Sequence, residues 1–222
     1  MKHKNQNRSR HSGQRLENDI VIGNVYDKYG SSNPIVKRLM SAYSASLTKL
    51  IKKANADSIH EVGCGEGYWT LKWLENGIDA RGSDFSENII KTAKRNAKEK
   101  NLPENKFSVR NIYDLDPSTD SANLIVCAEV LEHLDNPERA LMSLTKVVGS
   151  FLIVCVPREP IWSVLNMARG KYWRDWGNTP GHIQRWSKSG FIGFIGKQFD
   201  IIDVETPLPW TMLLCKQKNN RR

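Results

Sequence analysis

Between residues 58 and 74 the chain runs from a short apolar segment through three alternating glycines into a helix-compatible stretch. Ser58, Ile59, His60, Glu61 and Val62 suit a strand, and Gly63, Gly65 and Gly67, with Cys64 and Glu66 between them, suit a tight turn. A strand that turns this sharply into a helix is the opening unit of a nucleotide-binding α/β sheet. Glycine serves there because it tolerates positive φ and lets a ligand approach the backbone closely.

The spacing narrows the ligand. A dinucleotide fingerprint needs a further glycine where Tyr68 stands. An acid at Glu61 also opposes a pyrophosphate at the helix N-terminus. A cofactor without phosphate and with a cationic amine, S-adenosylmethionine (SAM), turns that acid into an asset. Residues 78–84 read as a second strand ending in Asp84, whose carboxylate suits both hydroxyls of a ribose. Glu61, the three glycines and Asp84 together resemble the class I SAM-dependent methyltransferases. The resemblance implies a doubly wound α/β fold: one domain, seven mostly parallel strands with the last antiparallel, and helices on both faces. The ligand is then expected at the carboxyl ends of the strands. It implies a cofactor site of Glu61, Gly63, Cys64, Gly65, Gly67, Asp84, Phe85, Asn111, Ile112, Ala128 and Glu129. Phe85 would lie against adenine, and Asn111 stands where the family commonly has an aspartate that accepts from the adenine amine.

Residues 123–128 are nearly all apolar, as a strand buried on both faces should be. Their continuation through Glu129, Glu132 and His133 resembles the fourth-strand motif of small-molecule methyltransferases, ubiquinone-biosynthesis O-methyltransferases included. In that group the two acids and the histidine are associated with a divalent cation. The alternatives are a metal-free His133 at the substrate mouth and a structural role. The expectation taken forward is no metal, with His133 as base. Pro180, Gly181, His182 and Ser187 resemble a stretch that follows the fifth strand in related enzymes, where the histidine faces the substrate. His182 is expected to orient or cover the acceptor.

Residues 157–186 break the strand–helix rhythm and hold Trp162, Trp173, Trp176 and Trp186, with Lys171, Arg174 and Arg185. An aromatic cap with a few cations suits a planar or sugar-bearing acceptor; the alternative is plain packing. Tyr26 and Tyr29 precede a helix start at Asn33 and Pro34, and could close over the cofactor or staple the segment to the body. The helix should bury Ile35, Leu39, Tyr43, Leu47, Leu50 and Ile51.

The formal charge of +9 is confined to the ends: five cations precede Leu16, four follow Cys215, and neither stretch holds an acid. Residues 1–18 and 216–222 are therefore expected to be unstructured basic tails around a methyltransferase domain at 19–215. A neutral body argues against a nucleic-acid partner. No apolar run approaches the length of a membrane span, and four scattered cysteines suit a reducing cytoplasm. The expected function is methyl transfer from SAM to oxygen, in preference to nitrogen or carbon, of a small molecule. The alternative is an RNA or a membrane- or lipid-linked acceptor reached through the tails. A non-catalytic SAM-binding subunit would be expected to lose Glu61, Asp84 or the glycines, and all are kept.

Overall fold

In the computed structural model, which describes residues 15–17, 20–22 and 30–218, the chain opens with an antiparallel pair, β1 (Arg15–Glu17) and β2 (Ile20–Ile22). This corrects the expectation of an unstructured stretch through residue 18. Tyr26 and Tyr29, expected as a lid or staple, lie outside the described residues.

Helix α1 (Pro34–Ala54) starts for a local reason: the Asn33 side chain accepts from the amides of Ile35 and Val36. Its buried line is Met40, Tyr43, Leu47, Leu50 and Ala54. Ile35, expected on that line, is 71% exposed, because it sits roughly a quarter turn away from it. There follow β3 (Ser58–Val62), α2 (Tyr68–Glu75), β4 (Asp79–Asp84), α3 (Glu87–Glu99), β5 (Phe107–Val109) and the short α4 (Pro117–Asp120). Next come β6 (Ala122–Ala128), α5 (Pro137–Val147), β7 (Val148–Pro157), α6 (Ile161–Ala168), α7 (Lys188–Ile195), β8 (Phe199–Glu205) and β9 (Trp210–Gln217). Ser86, Asn136 and Ser187 each accept an amide of the first turn of the helix they precede.

The sheet order is β5-β4-β3-β6-β7-β9-β8. Pairings from β5 through β7 are parallel, and β9 is antiparallel to both neighbours. The chain winds outward from β3 to β5, then returns to β6 beside β3, and that reversal is the topological switch point. Alternation along β6 feeds two cores. Leu124 and Val126 join Tyr43, Leu47 and Leu50 of α1, whereas Ile125 and Cys127 join Leu141, Leu144 and Phe191 on the other face. Because β9 runs to Gln217, Lys216 and Gln217 belong to the sheet rather than to the expected tail. Among the described residues no helix is long and apolar enough to cross a membrane.

Candidate active site

The glycine turn between β3 and α2 sits at the carboxyl edge of the sheet. Gly63, Gly65 and Gly67 have φ of +81°, +54° and +84°, a region open to glycine and costly for other residues. Each glycine has its own reason. A Cβ on Gly63 would lie 2.2 Å from a methyl of Val130, so this residue lets the loop after β6 close on the turn. A Cβ on Gly67 would meet the ring of Phe107, whereas one on Gly65 would meet nothing within 4 Å. That open space adjoins Asp84: its Oδ2 accepts from the Gly65 amide at 3.0 Å, and its Oδ1 from the Ser86 amide at 3.1 Å. A carboxylate has about four acceptor sites, so fixing the loop is compatible with accepting from a ribose.

Glu61 is buried, and its Oε2 accepts from both the amide and the hydroxyl of Thr70 in the first turn of α2. It closes the glycine turn like a clasp. Burial raises its carboxyl to about 8, with the Asp84 charge adding to the rise. Cys64 packs with Leu71, Ile90 and Phe107, and burial pushes its thiol well above the usual range. All four cysteines are buried free thiols. An acid below the turn, an open space at Gly65 and an anchored carboxylate at Asp84 fit a cationic nucleoside such as SAM.

The other expected cofactor residues are placed unevenly. Phe85 directly follows Asp84 and is half-buried, and Ala128 ends β6 at the same edge with Glu129 next after it. Glu129 takes a φ of +59°, unusual for a residue with a Cβ. Asn111 has a local role. It is exposed, and its side-chain oxygen accepts from the Tyr113 amide, capping a one-turn helix. Ile112 is drawn into the core with Leu115 and Leu141.

The two histidines meet. His133 ends a single turn, Leu131–His133, and its Nδ1 donates to the carbonyl of Gly181 at 2.8 Å. A carbonyl only accepts, so Nδ1 carries a proton, and in the neutral imidazole the lone pair is then on Nε2. The His133 and His182 rings pack edge to face at 5.0 Å, and Trp162 stacks on His182 at 5.8 Å. The amides of Ile183 and Gln184 both donate to the carbonyl of Glu132, so the loop bearing His182 is stitched to the turn bearing His133. Ligand atoms of Glu132, His133 and His182 all lie within 4.8 Å of one another, a donor set that suits a borderline divalent cation. This set replaces Glu129 of the sequence motif with His182, which sequence spacing had no means of bringing in.

The cap does not close as four tryptophans over one mouth. Trp162 alone reaches the histidines; its indole N–H donates to Thr179. Trp186 packs on Phe191 and Phe194 of α7, and Trp173 and Trp176 are exposed. Arg185 is engaged inside the cap, with Glu159 at 3.5 Å and the Ser163 hydroxyl at 3.0 Å. Thr70, Glu159 and Thr179 hold the site residues in place, and no motif in the sequence marks them.

The fold is that of the class I SAM-dependent methyltransferases, and the turn where β3 meets β4 is the candidate SAM site. Residues 59–149 match the family model described as a methyltransferase domain, and SAM is the methyl donor of that family. Among curated relatives, the ubiquinone biosynthesis O-methyltransferase of Coxiella burnetii (strain Dugway 5J108-111) is 30% identical over 145 residues, covering 59% of this chain and 61% of that enzyme. The enzyme of the same description from Methylococcus capsulatus is 24% identical over 157 residues, covering 62% and 64%. The match thus spans about three-fifths of these relatives' length. In fold, the chain is similar to the magnesium protoporphyrin IX methyltransferase of Synechocystis PCC 6803 solved with bound SAH. That likeness has a TM-score of 0.64 at 18% identity, over 85% of this chain and 90% of that one.

Proposed function

We propose that this chain moves the methyl group of SAM to a nucleophilic oxygen of a small-molecule acceptor. The observation that carries the reading is the His133 ring, oriented through Nδ1 by the Gly181 carbonyl, on the loop whose Val130 touches Gly63 of the candidate cofactor turn. The relatives' printed activity, O-methylation, supports oxygen as the acceptor atom.

SAM supplies an already activated methyl group on its sulfonium. The chain's own residues bind and align. Asp84 accepts from the ribose, and Glu61, with the turn it clasps, favours the cationic end. His133 Nε2 takes the proton of an alcohol or phenol as the acceptor oxygen becomes nucleophilic, while His182 and Trp162 cover the acceptor. Holding the two reactants in line supplies much of the acceleration.

Calorimetry tests the cofactor half. Asp84→Ala should weaken SAM binding by about 1–3 kcal/mol, the loss of one or two hydrogen bonds to a charged acceptor. Absence of SAM heat in the intact chain, or equal affinity in the variant, would sink the reading. A screen of small-molecule extracts for SAM-dependent mass gain then identifies the acceptor.

A further inference from the structure

The two tryptophans that the site does not use are the most exposed aromatics of the cap, Trp173 at 65% and Trp176 at 79%. They flank a one-turn helix, Trp173–Asp175, directly after α6. Trp173 is the first residue of that turn and Trp176 its C-cap, so both rings belong to one short exposed segment. The frame behind them is fixed. The Lys171 amide donates to the Asn166 carbonyl, the Asn166 side chain to the Gly177 carbonyl, and the Gly177 amide to the Tyr172 carbonyl. A Cβ on Gly177 would lie 2.1 Å from the Ser163 carbonyl oxygen, so the turn sits tightly on α6. Tyr172 and Trp176 take φ of +57° and +51°, which bulky residues rarely adopt, and such strain persists only where surroundings enforce it. The fold therefore holds two large apolar rings toward water.

Cations surround them. Arg169, Lys171 and Arg174 are exposed, and Asp175 is the one acid between residues 169 and 176. On α6, Ser163 and Asn166 are buried while Val164 and Leu165 are 53% and 37% exposed. Tryptophan beside lysine and arginine, with aliphatic surface nearby, is the composition of a membrane-interface anchor: the indoles sit at headgroup level and the cations meet anionic lipid. We propose that the cap, through Trp173 and Trp176, docks this protein on the surface of an anionic bilayer. With no membrane-crossing helix among the described residues, the contact is peripheral.

The test needs neither SAM nor an acceptor, so it stands apart from the methyl-transfer reading. The full chain is mixed with vesicles of phosphatidylcholine alone, or of phosphatidylcholine with phosphatidylglycerol, with and without brominated acyl chains. The expected result is co-sedimentation with the anionic vesicles and quenching of tryptophan fluorescence by bromine. Trp69, Trp73 and Trp210 are buried, so quenching reports mainly on the cap. A Trp173→Ser, Trp176→Ser double variant should keep its melting temperature, lose the quenching, and bind the anionic vesicles at least about tenfold more weakly. Quenching unchanged in the variant, or no vesicle binding by the native chain, overturns the proposal. So does salt-reversible binding without quenching, which would leave contact to the terminal cations alone. A lipid-independent dimer that the variant dissociates, with no vesicle binding, would instead make the patch a contact between copies and also overturns it.

Discussion

Burial raises the Glu61 carboxyl from 4.5 to about 8, against two hydrogen bonds from Thr70 that lower it, so near neutral pH much of it holds a proton. A cation close by favours the carboxylate, so SAM binding should release that proton. SAM affinity is then expected to rise with pH up to about 8 and level off above, and Glu61→Gln should flatten the profile. Folding has the opposite sign. The folded state binds more protons than the unfolded one between pH 4.5 and about 8, so stability falls as pH rises through that window. Calorimetry across pH checks the first effect and melting without ligand the second; a flat affinity profile in the native chain would remove Glu61 from contact with the cofactor's charge. Asp84 was legible in the sequence because an acid ending the second strand is a local signal. The Asx cap that Asn111 makes with the Tyr113 amide was not, because it depends on the turn that follows β5.

At the scale of elements, the site is a joint between the turn Leu131–His133 and residues 181–184. From sequence, His133 rides on the sheet and His182 on a loose loop, which makes His133 the base by rigidity alone. The stitching through the Glu132 and Gly181 carbonyls makes both histidines firmly held, so the assignment now rests on the Nδ1 hydrogen bond to Gly181 that orients the His133 ring. His133→Ala should lower turnover by about 10²–10⁴-fold with SAM affinity nearly unchanged. His182→Ala should mainly raise the acceptor's KM. A base and a metal ligand would compete for His133, so turnover is expected to survive exhaustive EDTA. Loss on chelation with recovery in a divalent cation would make the joint a metal centre, and the reverse pattern in the two variants would exchange their roles. Most helices were readable because Asn33, Ser86, Asn136 and Ser187 act within their own first turn. The cap was not, because Trp186 is placed by α7 and Arg185 by Glu159, contacts that local pattern does not encode.

Across the whole molecule, net charge and candidate chemistry occupy different parts of the sequence. The excess of nine belongs to the terminal stretches, whereas the candidate SAM site lies where β3 meets β4 and β6. Exposed charges act over about a Debye length, roughly 8 Å at physiological salt, so terminal cations influence a site built from Glu61, Asp84 and His133 only where they come within that reach. The truncation that tests this has to respect the fold: Arg15 belongs to β1, and Lys216 and Gln217 belong to β9, where Lys216 pairs in register with Phe151. Removing residues 1–14 and 219–222 deletes six cations and leaves every described strand whole. SAM affinity and turnover of a small acceptor are expected to stay within about twofold. Binding to anionic vesicles should weaken and become less salt-dependent, while bromine quenching at Trp173 and Trp176 remains, because the cap carries its own cations. A collapse of turnover toward a small acceptor in the truncated chain, with steep salt dependence in the full chain, would move acceptor recognition to the termini and point to an anionic macromolecular substrate.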